Sequence, residues 1–188
     1  MAIDTSQFRN GVKIELDGDP FSITYFQHVK PGKGGAFVRT KLKNLRTGRV
    51  LEKTFQSGRK VEQADIEERR MQFLYQDGES AVFMDNESYE QMSISFEQLG
   101  DSRKFLKENT EALVMLYKGR AIGVELPAFI EVQVTQADPG LRGDTASGAT
   151  KPATVETGAI IQVPLFIKQG ETVKVDTRSG AYVERVNR

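Results

Sequence analysis

No cysteine occurs in the 188 residues, and histidine occurs once, at His28. Neither a disulfide frame nor a thiolate metal site is therefore available, and a single imidazole leaves almost nothing for a histidine-ligated centre, so no metal is expected. Long apolar runs are missing too, since no segment approaches the roughly 18 apolar residues of a membrane helix. The opening MAIDTSQF has no basic stretch leading into an apolar one. These absences predict a cytoplasmic protein with no membrane partner. No Ser/Gly tract or long proline run divides the chain, whose length suits one large domain or several small ones. Net charge is the last absence, with 26 Lys/Arg against 26 Asp/Glu, but the balance is local. Residues 1–62 carry 12 basic and 6 acidic side chains, residues 63–126 carry 7 and 13, and residues 127–188 carry 7 of each. A basic excess confined to one third is the electrostatic footprint of a nucleic-acid partner, or else a solvated surface.

What is present is alternation. In VKIELDGDPFSITYF the apolar positions Val12, Ile14 and Leu16 are followed by Phe21, Ile23 and Tyr25, with Asp17-Gly18-Asp19-Pro20 as the turn between two strands. Leu42 to Leu45 and Val50-Leu51 read as a second hairpin across Arg46-Thr47-Gly48-Arg49, and Asp77-Gly78 marks a third. One short helix is expected over 102–109, capped by Ser102. Alternation resumes through 129–134, 160–167, Val173 to Val175 and Tyr182-Val183. Short strands with turns at this spacing predict an all-β chain of three small barrels of about 60 residues each, SH3-like or five-stranded oligonucleotide-binding (OB). The cuts fall at 1–62, 63–126 and 127–188, and no internal repeat is visible in the sequence.

The stretch KPGKGGAF, from Lys30 to Phe37, sets one lysine among glycines and a proline. It is not a phosphate-cradling P-loop, whose order G-x-x-x-x-G-K-[ST] leads into a helix, nor does it have the spacing of a dinucleotide fingerprint. A Schiff-base lysine would need an apolar wall to lower its pKa, and glycines supply none. Lys33 is therefore expected at an exposed hairpin apex, with Pro31 fixing the entry and Gly32, Gly34 and Gly35 permitting positive φ and adding no bulk. Such a tip passes a lysine into a confined space; the competing reading is a plain glycine-rich loop with a solvated lysine.

VKPGKGGAF, together with DPGLRGD at 138–144 and KPATVETGAIIQVPLFIKQGETVKVDTRSGAYVERV at 151–186, closely resembles the bacterial translation elongation factor P family along nearly the whole chain. The resemblance implies an N-terminal SH3-like (KOW-type) barrel followed by two OB-fold barrels, arranged in an L that mimics tRNA. It implies a non-enzymatic factor that enters the 70S ribosome between the P and E sites when synthesis stalls at consecutive prolines. Lys33 matches the family lysine that projects toward the CCA end of P-site peptidyl-tRNA and is commonly lengthened by a modifying enzyme. β-Lysylation is the adduct expected at Lys33, and no other cofactor is.

The resemblance also implies that Gly143, Asp144 and Thr145 lie by the E-site codon of the mRNA, the alternative being a turn with an Asx cap. Tyr182 and Arg185 resemble small-subunit and tRNA contacts, although Tyr182, in an alternating strand, also suits a core. Lys30, Arg39, Lys41 and Lys43 are expected to meet tRNA or rRNA phosphates, or else to form a solvated strand face. A monomer is expected. Two other classes compete: a generic RNA-binding barrel protein, and a carrier whose Lys33 bears biotin or lipoate. The carrier is disfavoured by glycine neighbours where carrier lysines sit in contexts such as Met-Lys-Met. Catalysis is disfavoured because adjacent carboxylates such as Glu67-Glu68 point to opposite faces of a strand.

Overall fold

The computed structural model describes residues 1–139 and 148–186. It is an all-β chain, as the alternation predicts. A two-stranded sheet pairs β1 (Ala2–Asp4) with β6 (Lys60–Glu62), and a four-stranded antiparallel sheet runs β2 (Lys13–Leu16), β3 (Asp19–Val29), β4 (Phe37–Asn44), β5 (Val50–Gln56). The middle segment supplies β7 (Ile66–Asp77), β8 (Ser80–Asp85), β9 (Gln91–Ser95), β10 (Glu111–Tyr117) and β11 (Arg120–Glu125), ordered β11-β10-β7-β8-β9. The last supplies β12 (Phe129–Ala137), β13 (Thr150–Val155), β14 (Ile160–Pro164), β15 (Thr172–Asp176) and β16 (Tyr182–Arg185), ordered β14-β13-β12-β15-β16. These two sheets share one topology: the first strand is central, the second and third lie on one side, the fourth and fifth on the other. The architecture thus repeats where the sequence shows no repeat, because alternation and turns set topology while side-chain identity remains free to diverge. Among the described residues no helix is long and apolar enough to cross a membrane.

Two compact units divide the chain, one made of 1–69 and 114–123, the other of 70–113 and 124–188. In the first, Phe8, Ile14, Ile23, Val38, Leu42 and Phe55 are fully buried, and Phe8 meets Phe55 edge-on at 5.4 Å between ring centroids. The β2–β3 turn is tighter than the sequence suggests. Asp17 and Gly18 both take positive φ, 52° and 84°, while Asp19 and Pro20 are already strand residues. Positive φ at both central residues matches the right-handed twist of the flanking strands, which a four-residue turn does not need to do. The β4–β5 hairpin closes on Asn44, whose Oδ1 accepts from the backbone of Arg46 at 2.8 Å and Thr47 at 3.0 Å.

Three other expectations are corrected. The helical segment starts earlier: α1 (Phe96–Leu99) is capped by Ser95, followed by a 3-10 turn over Gly100–Phe105 in which Ser102 is interior. Ser95 has Gln98 three residues on, and the two satisfy each other's backbone N–H groups; Ser102 has Phe105 there, which cannot reciprocate. The alternation does not mark strand β13, which contains Pro152. Its residues Thr150 to Pro152 pair with β14 alone, so proline's missing N–H costs no ladder bond on the other side. Tyr25 does not face inward. Ile23 pairs with Leu42 and Tyr25 with Lys41, so Thr24 is an extra bulged residue that turns every following side chain of β3 over.

Candidate functional site

The connection between β3 and β4 begins after Val29 and ends before Phe37, which are opposite each other in the ladder. Lys33 is its midpoint and is exposed, with no hydrogen bond or ion pair to any described residue. Lys30 is exposed and Pro31 half-buried at the stem. The three glycines differ in what the fold asks of them. Gly34 has φ +101°, a conformation side chains seldom adopt, and a Cβ there would touch the Pro31 ring at 4.0 Å. Gly32 and Gly35 need no positive φ, and a Cβ at either would meet nothing within 4 Å. The fold therefore does not require glycine at 32 or 35, which leaves slenderness of the tip as the physical consequence of having it there.

Strand β4 carries the rest of the basic set. Val38, Thr40, Leu42 and Asn44 are buried while Arg39, Lys41 and Lys43 are exposed, as period two demands. The Arg39 guanidinium lies 5.5 Å from the centre of the Phe37 ring, and Lys41 approaches Glu52 of β5 at 3.5 Å. Both ends of that ion pair are solvated, so it orients Lys41 more than it stabilises the fold. The structure adds Tyr25 and Gln27, the register partners of Lys41 and Arg39, to the same face. Alternation assigns Tyr25 to the core, and no sequence signal marks the bulge that turns it out.

At the other end of the chain, Tyr182 is half-buried on β16 and Arg185 is exposed but held. Its guanidinium pairs with Glu171 at 3.2 Å and lies 5.8 Å from the Phe166 ring. The Lys168 backbone N–H first, and then Arg185, keep the Glu171 carboxyl below its ordinary pKa. Gly143, Asp144 and Thr145 lie outside the described residues. Next to them in sequence, buried Lys151 donates to the Asp138 carbonyl at 2.6 Å.

One polar cluster was not foreseen. The Tyr117 hydroxyl, on a side chain 3% exposed, donates to Glu15 of β2, and Lys118 approaches the same carboxylate at 3.1 Å. These hydrogen bonds, from Tyr117 first and then Lys118, lower the Glu15 pKa, while burial and then Glu15 raise that of Tyr117. The partners are 102 residues apart, a separation no local pattern reveals. Beside them Tyr117 packs with Ala64 and Ile122 against Leu45, Ile66 and Met115, so the cluster fastens the β10–β11 turn to β2 within the first unit. Among the described residues no group of three or more acidic, His or Cys side chains is placed to hold a metal ion.

Residues 4–61 match the KOW-like domain of elongation factor P, residues 66–124 its OB domain, and residues 124–185 its C-terminal domain. Among curated relatives, elongation factor P of Pelotomaculum thermopropionicum is 55% identical across 98% of this chain and 100% of that protein. The factor of Moorella thermoacetica is 55% identical across 97% and 99%, and that of Thermoanaerobacter sp. (strain X514) 56% across 98% and 100%. Among solved structures, eukaryotic translation initiation factor 5A from Methanococcus jannaschii superposes on 68% of this chain and 92% of its own, with TM-score 0.54 at 23% identity. A translation initiation factor eif-5a family protein from Naegleria fowleri covers 67% and 98%, at TM-score 0.55 and 16% identity. At those identities the two structures speak to fold alone.

Proposed function

The chain belongs to the elongation factor P family of translation factors, and we propose that it binds the 70S ribosome between the P and E sites and speeds peptide-bond formation at consecutive prolines. The observation that carries this reading is the tip: an unpartnered lysine at the midpoint of a hairpin, between glycines at 32 and 35 that the fold does not need. Proline's fixed φ and secondary amine restrict how donor and acceptor approach one another. The ribosome supplies the catalysis, so the factor has only to hold the CCA end of peptidyl-tRNA near attack geometry. A cation on a long, thin arm does this by contacting phosphate and ribose from a space too narrow for a bulkier loop. Lys33 is exposed and has no hydrogen bond or ion pair to a described residue that lengthening it would break, and a β-lysyl group on Nζ, added by a lysine-modifying enzyme, would extend its reach and add cationic donors.

On this reading Lys30, Arg39, Lys41 and Lys43 follow the phosphates of P-site tRNA or of rRNA, Tyr182 and Arg185 contact the small subunit or the tRNA, and Gly143, Asp144 and Thr145 meet the E-site codon. The factor acts as a cytoplasmic monomer and catalyses nothing by itself. Two measurements test the proposal. Peptide mass spectrometry of the protein purified from its own cells should place the adduct on Lys33. Lys33→Ala should reduce a polyproline reporter to the factor-free level with an unchanged melting temperature, because an exposed apex side chain packs against nothing. Full rescue by Lys33→Ala would refute it, and biotin or lipoate on Lys33 would favour the carrier reading instead.

A further inference from the structure

We propose that Tyr25 is a stacking platform for one unpaired RNA base, in a shallow groove on the outer face of the four-stranded sheet lined by Tyr25, Gln27, Arg39, Lys41, Glu52 and Thr54. The inference rests on the ribosome-directed reading above and names the chemistry this face recognises. The Tyr25 side chain is 45% exposed, and among the described residues its ring has no aromatic or cationic partner. Other exposed rings are covered: Phe129 by Lys174 at 5.3 Å and Phe166 by Arg185 at 5.8 Å. Tyr75 and Tyr89 also lack a stacked partner, but Asp77 follows the first closely and Glu87 and Glu90 flank the second, which repels phosphate. Among the described residues, Tyr25 is the uncovered exposed ring that shares a face with Arg39 and Lys41.

The ring is presented by a built feature. The extra residue Thr24 donates from Oγ1 to the Lys41 carbonyl at 3.1 Å, which holds the bulge, and the Tyr25 hydroxyl donates to Gln27 Oε1 at 3.4 Å, which orients the ring. Bulges re-aim side chains in this way next to functional sites. Glu52, in the same groove, pairs with the Lys41 ammonium at 3.5 Å, and no ion pair or cation–ring contact covers the Tyr25 ring among the described residues. Bases within a duplex already stack on their neighbours, so an open aromatic face beside cations selects an unpaired nucleotide, with Gln27 and Thr54 within the same groove as hydrogen-bonding groups for the base edge. An acidic protein segment would satisfy Arg39 and Lys41 but has no use for the ring.

The test is an NMR titration of the full chain, labelled at its 5 tyrosines, with a single-stranded adenosine hexamer and with an RNA duplex of equal strand length at low salt. The single strand should move the Tyr25 ring protons upfield and leave Tyr75 and Tyr89 in place, and the duplex should not. Tyr25→Leu should weaken hexamer binding about tenfold, the size of one base–aromatic stack, while Tyr25→Phe stays within about twofold. Equal shifts at the three tyrosines, an equal response to duplex, unchanged binding by Tyr25→Leu, or an upfield shift of the same size with hexaglutamate would each overturn the proposal. Neither ribosomes nor a modified Lys33 enter this experiment, so its failure leaves the polyproline reading standing, and loss of that reading is decided separately by Lys33→Ala.

Discussion

The Lys33 hairpin and the β15–β16 end of the chain both offer a cation to solvent, and they treat it oppositely. Lys33 has no partner among the described residues and a support stripped of side chains, whereas Arg185 is tied to Glu171 and set against Phe166. A group that must reach into a variable, confined space gains from an unencumbered arm. One that must dock a surface in a fixed orientation gains from being held beforehand, because less freedom is lost on binding. Arg39 and Lys41 stand between these extremes, oriented by Phe37 and Glu52 but open to solvent.

This contrast can be broken in several places, and the largest effect is expected on the basic strand. Reversing Lys41 and Lys43 to glutamate should weaken ribosome association by an order of magnitude or more at low salt, with the deficit shrinking as salt rises, since phosphate contacts follow counterion release. Equal loss at all salt concentrations would mean that the strand was misfolded instead. Next comes the tip. Gly35→Ala should leave stability within about 0.5 kcal/mol, because the added methyl meets nothing, yet lower polyproline rescue severalfold if the tip enters a narrow space. Gly34→Ala should in addition destabilise by about 1 kcal/mol through its positive φ. Identical rescue by wild type and Gly35→Ala would remove slenderness from the account.

Smaller effects are expected where cations are already held. Glu171→Gln should leave the melting temperature nearly unchanged, since exposed ion pairs contribute less than about 1 kcal/mol, and should weaken ribosome association by about twofold to threefold as Arg185 loses its orientation. A filter-binding series against Arg185→Ala separates lost orientation from lost charge. The smallest change concerns Tyr117→Phe, which should cost about 1 kcal/mol without affecting rescue. The Glu15 carboxyl is lowered in the folded protein, so its contribution is present above its ordinary value of 4.5 and is lost as pH falls through the folded value. Acid titrations of the fold should therefore show the wild type losing more stability than Glu15→Gln below about pH 4.5; parallel curves would show that the cluster is not coupled to folding.

How much of this was legible in the sequence depends on range. Local signals are legible: hairpins after β2 and after β7, the exposed face of β4, and Lys33 at an apex each follow from period two and turn chemistry within about ten residues, although the loops themselves are Asp17-Gly18, not Asp17 to Pro20, and Gly78-Glu79, not Asp77-Gly78. The bulge at Thr24 was missed because inserting one residue leaves composition and apolar content unchanged while reversing which face Tyr25 occupies. The cap lies at Ser95 and not at Ser102 because Gln98, three residues on, completes a capping box that a serine alone does not make. Glu15 and Tyr117 meet only after the strands between them have folded, and the shared topology of the last two sheets likewise exists in pairing order and not in residue identity.

The central claim, that Lys33 is the working end of the molecule, is tested most directly by the rate of a single peptide bond. Purified ribosomes halted with a proline donor in the P site and Pro-tRNA in the A site are supplied with saturating protein, and bond formation is followed by rapid quench for the native chain and for Lys33→Ala, with ribosome occupancy measured in the same samples. The account predicts that both bind and only the native chain accelerates the bond. Equal acceleration by Lys33→Ala at equal occupancy would contradict it.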